Sequence, residues 1–98
     1  MELIDLMEKA EFSEQFSPVI LHRDPQIKVP LICMEPGQEI PPHPSGTGIF
    51  YIVSGSAIMT VDGREVEVQA GNMVFVEKSE SRGIRATETL IAFAVHVS

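Results

Sequence analysis

The sequence predicts a single all-β domain, a barrel or sandwich of antiparallel strands preceded by one short helix. Short apolar segments follow one another along the chain, turn residues separate them, and helical periodicity is confined to the start. Short strands at this spacing are typical of sandwiches and barrels. With 98 residues, the chain is long enough for one hydrophobic core and too short for two.

The N-terminal segment favours a helix. Within Met1–Ala10, Leu3 and Met7 lie on one helical face, and early acidic residues suit the positive end of the helix dipole. We expect residues 1–16 to form a helical arm that packs on the barrel or on a partner subunit. Residues 17–98 are expected to form the barrel domain itself.

From Pro18 onward, apolar runs alternate with turns. The predicted strands are Val19–Leu21, Ile27–Cys33, Ile49–Val53, Ile58–Val61, Glu65–Val68, Met73–Val76 and Leu90–Val97. Pro30 lacks an amide hydrogen, so it indicates an edge position or a bulge in its strand. The proline-rich stretch from Pro41 to Gly48 is predicted to be a loop, and the polar stretch Glu77–Arg82 separates the last two strands.

The clearest local prediction is a β-hairpin. Asp62-Gly63 stands between two alternating segments, and this pair suits a type I′ turn, in which both central residues need positive φ. Val66 and Val68 alternate with glutamates, so one face of the second strand should point to a core and the other to water.

Charge and composition exclude several functions. The net charge is −7, and an acidic surface repels phosphate backbones, so we expect neither nucleic acid nor membrane as a partner. The apolar runs are too short to cross a bilayer. The single cysteine, Cys33, has no internal disulfide partner, and its alternating apolar strand predicts a buried, inert thiol. The cytoplasm is the expected location.

The chain contains two glycine-bearing motifs. In the first, five residues separate Gly37 from His43, and Phe50–Gly55 follows as a strand and a turn. In the second, five residues separate Gly63 from Gln69–Asn72. These motifs resemble the first and second motifs of the cupin superfamily. The resemblance extends from about Val29 to the C-terminus. It implies a single jelly-roll-like antiparallel cupin β-barrel.

The chain departs from cupins at the metal ligands. The resemblance implies two His and one Glu from the first motif and one His from the second, and only His43 matches. The other three ligand positions fall on Ser45, Gly48 and Arg82. A guanidinium is permanently cationic and offers no lone pair to a metal. We therefore expect no metal and no other cofactor.

The other two histidines could in principle complete a different site. His96 shares an alternation face with Ala92 and Ala94. Because the opposite face is more apolar, we expect His96 to point away from the cavity. His22 adjoins Arg23-Asp24-Pro25 and is expected to be a surface turn residue.

The resemblance nevertheless implies a cavity at the former ligand positions. Alternation carries Gly48 to Phe50 on the same inward face. We expect a small organic anion to bind there, in contact with His43, Ser45, Phe50 and Arg82. Arginine suits this role because it can bind a carboxylate through two parallel hydrogen bonds. Alternatively, Arg82 points to solvent or pairs with a nearby glutamate, and His43 donates to a backbone carbonyl.

Three functions follow from these alternatives. The first is a metal-free small-molecule binding protein. The second is a metal-dependent or metal-free cupin enzyme of the oxygenase or isomerase type that uses His43. The sequence identifies no set of catalytic residues for it. The third is a structural or regulatory protein whose cavity is filled.

Self-association is expected in each case. The resemblance to small single-domain cupins implies a dimer that forms through a sheet. The predicted strand Ile49–Val53 is apolar on both faces, and a barrel can hide only one of them in its own interior. We therefore expect a homodimer.

Overall fold

The computed structural model describes residues 1–98 and contains nine strands and one short helix. In chain order these are α1 (Leu6–Lys9), β1 (Val19–Arg23), β2 (Ile27–Met34), β3 (Glu39–Pro44), β4 (Thr47–Ser54), β5 (Ser56–Val61), β6 (Arg64–Gln69), β7 (Met73–Val76), β8 (Ser81–Ala86) and β9 (Leu90–Val97). Five strands form one sheet in the order β1-β2-β9-β4-β7, and four form a second in the order β3-β8-β5-β6. All paired strands are antiparallel. The predicted all-β barrel with a short N-terminal helix is confirmed.

The core lies between the inner faces of the two sheets. Phe50 and Ile52 of β4 point into it, as their alternation with Gly48 predicts, and Met59 of β5 meets them from the opposite sheet. Ile52 and Met59 are completely buried. Full burial of a side chain of this size contributes roughly 2 kcal/mol, so side chains supplied by both sheets hold the barrel closed.

The predicted hairpin is present. Asp62 and Gly63 connect β5 to β6 with φ values of 48° and 79°, the left-handed conformation that a type I′ turn requires. Val68 enters the core as expected, whereas Val66, nearer the turn, remains 47% exposed. The hairpin therefore extends beyond the part of the barrel that buries its apolar face.

The N-terminal helix is shorter than predicted. Asp5 caps it by accepting hydrogen bonds from the backbone amides of Met7 and Glu8, but the chain is already extended at Ala10. The first part of the arm lies on the outer face of the five-stranded sheet, where Leu6, Ala10 and Phe12 pack against Leu31, Cys33 and Ile91. Phe16, near the end of the arm, packs instead against the main core cluster. The Cys33 thiol is buried, as predicted, and this burial raises its pKa.

Two strands were not predicted. β3 lies where a loop was expected, because it is an edge strand and an edge tolerates prolines whose missing amides have no partner. Its register shifts between Ile40 and His43, around the two prolines. β8 is too polar to resemble a core strand, yet it pairs on both sides, with β3 and β5.

Pro30 lies in an interior strand. β2 pairs with both β1 and β9, so the edge alternative was wrong. The bulge alternative fits better: Ile20 pairs with Pro30 and His22 with Val29, which leaves one extra residue in β1 opposite the proline.

The outer face of the five-stranded sheet is only half covered. The N-terminal arm lies on one half, whereas Tyr51, Met73 and Phe75 on β4 and β7 are 37%, 58% and 57% exposed. Tyr51 packs against Phe93 of β9, with ring centroids 5.6 Å apart. We call the exposed residues Tyr51, Met73 and Phe75 the uncovered face, and Phe93 lies at its border with the half that the arm covers.

No helix of the chain has the length and apolar character needed to cross a bilayer.

Candidate functional site

A cavity of about 420 Å³ lies inside the barrel. This volume is within the range of small-molecule sites. Its inner wall includes the buried side chains of Ile32, Phe50, Arg82 and Ile84. Its exposed rim includes Lys28, Glu39, Pro41, His43 and Ser45. The cavity is therefore apolar in depth and open to solvent at a polar rim.

The four residues predicted to line a cavity all do so. His43 on β3 and Arg82 on β8 are cross-strand partners, so the antiparallel register sets them side by side. Ser45 lies in the short connection after β3, and Phe50 projects inward from β4 in the facing sheet. The spacing of the two glycine motifs thus predicted that these four positions share one interior. It did so even for Arg82, although strand propensity did not predict its strand, β8.

Arg82 is the most unusual residue of the interior. It is the one charged residue among the buried side chains, with 2% of its surface exposed. Its Nε–H donates to the carbonyl oxygen of Glu80 at 2.9 Å, and Nη2 donates to that of Glu77 at 3.1 Å. The third nitrogen, Nη1, is buried and has no hydrogen-bond partner in the chain. Arg82 therefore points inward, and its contacts with the two glutamates are to their backbones.

The turn between β7 and β8 supplies the two carbonyl oxygens that bind Arg82 and is held by hydrogen bonds of its own. The Glu80 amide donates to the carbonyl oxygen of Glu77, and the Glu80 carboxylate accepts from the Glu77 amide at 2.7 Å. Ser79 adopts a φ of 76° and donates its amide to the carbonyl oxygen of Ser45. Burial lowers the pKa of the Arg82 guanidinium, and the charges of Glu80 and Asp62 oppose that effect. The group nevertheless stays cationic near neutral pH.

His43 lies at the rim and is exposed. Its Nδ1 is 3.1 Å from the carbonyl oxygen of Pro41. A carbonyl can only accept, so Nδ1 carries the proton and, in the neutral ring, Nε2 is left as an acceptor. The alternative that His43 donates to a backbone carbonyl is therefore what the chain does, while the ring still lines the cavity.

The predicted direction of His96 was wrong. Ala92, Ala94 and His96 face the interior, and both alanines are completely buried. The bulkier opposite face of β9 is directed outward, where the arm covers Ile91 and Tyr51 packs on Phe93. Ala94 is the cross-strand partner of Phe50, so a small residue faces inward where a bulky ring already occupies the interior. Hydrophobicity alone ranked the two faces in the wrong order.

His96 stands next to Arg82 in the depth of the cavity. Its ring packs edge-on against Phe50 with centroids 5.7 Å apart, and its Nδ1 is buried without a hydrogen-bond partner. Burial lowers the pKa of His96, and the positive charges of Arg82, Lys28 and His43 lower it further. Near neutral pH the ring is therefore uncharged, and the fixed cation of the inner cavity is Arg82.

His22 lies away from the cavity, in strand β1. Its Nδ1 is 3.1 Å from a carboxylate oxygen of Glu2, and its Nε2 is 2.7 Å from one of Asp24. Hydrogen bonds to Asp24 and then to Glu2 raise the pKa of His22. The bond to His22 is the largest of several that lower the pKa of Asp24 to about 2. His22 thus ties the start of the arm to the barrel.

The interior does not fit a protein-held transition metal. Such an ion needs at least about three good ligands, and no group of three or more His, Cys, Asp or Glu side chains in the chain is placed so that it could hold a metal ion. His43 and His96 share the cavity with the Arg82 guanidinium. That group has no lone pair and repels a cation.

Comparison with known proteins identifies the family. The Cupin domain profile matches residues 30–97, and the chain belongs to that family. No curated protein matches the sequence.

Solved structures show the same fold. A protein of unknown function from Streptococcus pyogenes is 23% identical, with a TM-score of 0.88 over 99% of this chain and 87% of that one. An RmlC-like cupin from Desulfovibrio desulfuricans is 20% identical, with a TM-score of 0.90 over 99% and 96% of the two chains. A Klebsiella pneumoniae protein with a double-stranded β-helix domain is 20% identical, with a TM-score of 0.89 over 99% and 90%. At these identities the likeness establishes the fold alone.

The two shifted histidines should titrate on opposite sides of the ordinary value of 6.5. In an NMR pH titration of the imidazole resonances, we expect a pKa below 6.5 for His96 and above 6.5 for His22. Replacing Arg82→Met should raise the pKa of His96 only part of the way to 6.5, because burial is the larger cause of its shift. A pKa of His96 at or above 6.5 in the unmodified protein would contradict this description of the site.

Proposed function

We propose that this chain binds a small organic anion in the barrel cavity and holds it with Arg82 in place of a metal. The observation that carries the proposal is the buried Nη1 of Arg82, which has no hydrogen-bond partner in the chain. A buried donor that is left unsatisfied costs about 1–3 kcal/mol, and more when it is charged. An anion that accepts from Nη1 would remove this cost on binding.

The surroundings support an organic rather than an inorganic anion. Apolar side chains of Phe16, Ile32, Phe50 and Ile84 line the cavity beside the cation. Such a wall contributes binding energy only to a ligand that brings apolar surface of its own. The open volume of about 420 Å³ favours a ligand-binding function, because a structural protein with a filled interior would leave no such space.

Arg82→Met tests the proposal, with Arg85→Met as the matched control. Arg85 lies on the same strand but is exposed and does not line the cavity. Benzoate and isobutyrate serve as probes, and binding is measured by NMR titration and by the melting temperature. At about ten times Kd, a probe should raise the melting temperature of the unmodified protein and of Arg85→Met by roughly 5–10 °C. Arg82→Met should bind at least about tenfold more weakly, because a charge-assisted hydrogen bond is lost.

The melting temperature of Arg82→Met without probe reports whether that variant is folded. Equal affinity in Arg82→Met and the unmodified protein would overturn the proposal, as would the absence of binding by the unmodified protein to either probe.

We also propose that the chain forms a homodimer through the uncovered face. Tyr51, Met73 and Phe75 carry no charge, whereas each chain carries a net charge of −7. Two like-charged copies can approach most readily through such a patch. The arm covers the other half of the same sheet and leaves this half for the second copy.

The free thiol of Cys33 is compatible with the reducing cytoplasm, which we infer as the location.

Phe75→Glu should convert the dimer to a monomer, because it places one carboxylate from each chain in an apolar contact. Val66→Glu is the matched control: Val66 is 47% exposed and lies on the other sheet. Light scattering coupled to size-exclusion chromatography measures the mass. The proposal predicts a dimer for the unmodified protein and Val66→Glu, and a monomer for Phe75→Glu. A monomeric unmodified protein, or a dimeric Phe75→Glu, would exclude this interface.

A further inference from the structure

Gly48 lies beneath two buried nitrogen atoms from opposite sheets. Gly48 on β4 and His96 on β9 are cross-strand partners, and Arg82 reaches them from β8. A Cβ atom at Gly48 would lie 3.2 Å from Nη1 of Arg82 and 3.3 Å from Nδ1 of His96. Both nitrogens therefore stand over the same stretch of backbone, and the missing side chain leaves them room.

These two nitrogens are the buried side-chain polar atoms of the chain that have no hydrogen-bond partner. Buried polar groups in folded proteins are almost always paired, so each unpaired one needs an explanation. Nη1 of Arg82 can only donate. Nδ1 of His96 donates in one tautomer of the neutral ring, and in that form two donors lie within 3.3 Å of the same Cβ position at Gly48. Neighbouring donors of this kind match the two oxygens of one planar carboxylate.

We infer that Arg82 and His96, set over Gly48, form a carboxylate subsite, and that the ligand is a small monocarboxylate whose apolar body lies against Phe50. This inference rests on the proposed anion-binding function and adds to it the chemical class of the ligand, the second binding residue and the reason for Gly48. Phe50 is suited to the role because its ring contacts His96 and lines the cavity wall.

The charges around the subsite favour one negative charge over two. Around His96 the charged and titratable groups are Arg82 on β8, Lys28 on β2, His43 and Glu39 on β3, and Asp24 in the β1–β2 turn. The carboxylates of Glu80 and Asp62 act on Arg82 itself. Of all these groups, Arg82 alone is both buried and permanently cationic. Glu39 adds a carboxylate at the rim and the whole chain is acidic, so a dianion such as phosphate or succinate meets repulsion without a second buried cation.

The substitution Gly48→Ala, which adds a single methyl group, tests the inference. In Gly48→Ala the new Cβ would sit at 3.2–3.3 Å from both nitrogens, closer than ordinary van der Waals contact. Nη1 of Arg82 and Nδ1 of His96 would each have to shift by a few tenths of an ångström to make room. We expect this shift to disturb the spacing of the two donors while the charge of Arg82 remains, so that the anion is still attracted but is held less well.

The experiment compares benzoate with benzamide, succinate and inorganic phosphate by NMR titration of the unmodified protein, Gly48→Ala, His96→Phe and His22→Phe. His22 lies outside the cavity, so His22→Phe is the matched control for His96→Phe. We expect benzoate to bind the unmodified protein and His22→Phe equally, and Gly48→Ala and His96→Phe at least about tenfold more weakly. Benzamide, succinate and phosphate should each bind the unmodified protein at least about tenfold more weakly than benzoate.

A second measurement needs no variant. Benzoate should shift the Nδ1 resonance of His96 and leave both ring nitrogens of His22 unchanged. Equal benzoate binding by all four proteins, an unmoved His96 resonance, or phosphate binding as tight as benzoate would each overturn the inference. If these results came with loss of benzoate binding in Arg82→Met, the proposed anion site would stand without this subsite. If the unmodified protein bound no organic anion, the proposed function itself would fail.

Discussion

The buried guanidinium of Arg82 is the constraint on which the interior of this barrel depends. Unlike lysine or histidine, arginine cannot escape the cost of burial by releasing its proton. The protein must therefore surround a permanent charge with acceptors and space. The β7–β8 turn supplies two carbonyl oxygens, and Gly48 supplies space by having no side chain. His96 accommodates the charge by staying neutral, since burial and the neighbouring cation both lower its pKa.

The same constraint connects the changes in the cupin motifs. Arg82 and Gly48 stand at two positions where the family resemblance implies a histidine and a glutamate as metal ligands. Any side chain at Gly48 would crowd Nη1 of Arg82, so these two residues are sterically coupled. A guanidinium at the centre of the barrel supplies the positive charge that a metal ion would otherwise bring. It supplies that charge as directed N–H donors, which suit an oxygen anion, and it offers no open coordination position.

Local chemistry and motif spacing predicted much of the fold. The Asp62-Gly63 turn was predictable because few residue pairs adopt positive φ twice in succession. Motif spacing predicted that His43, Ser45, Phe50 and Arg82 share one cavity, although propensity missed the strand that carries Arg82. β3 and β8 were missed because their prolines and charges are tolerated only in their particular sheet environment, which the sequence does not display. The orientation of His96 was missed because Ala92 and Ala94 on the inward face of β9 are small, and hydrophobicity does not report how much space the interior leaves at each position.

The measurement that tests the central claim most directly is the metal content of the purified, untagged protein. The protein is expressed with manganese, iron, cobalt, nickel and zinc all available, and metal is quantified per chain by elemental analysis. If Arg82 takes the place of the metal, each of these elements should be present at well below about a tenth of an equivalent, because fewer than three good ligands remain. About one equivalent of any of them per chain would contradict the account, since the buried guanidinium of Arg82 repels a metal cation and the chain places no set of metal ligands beside it.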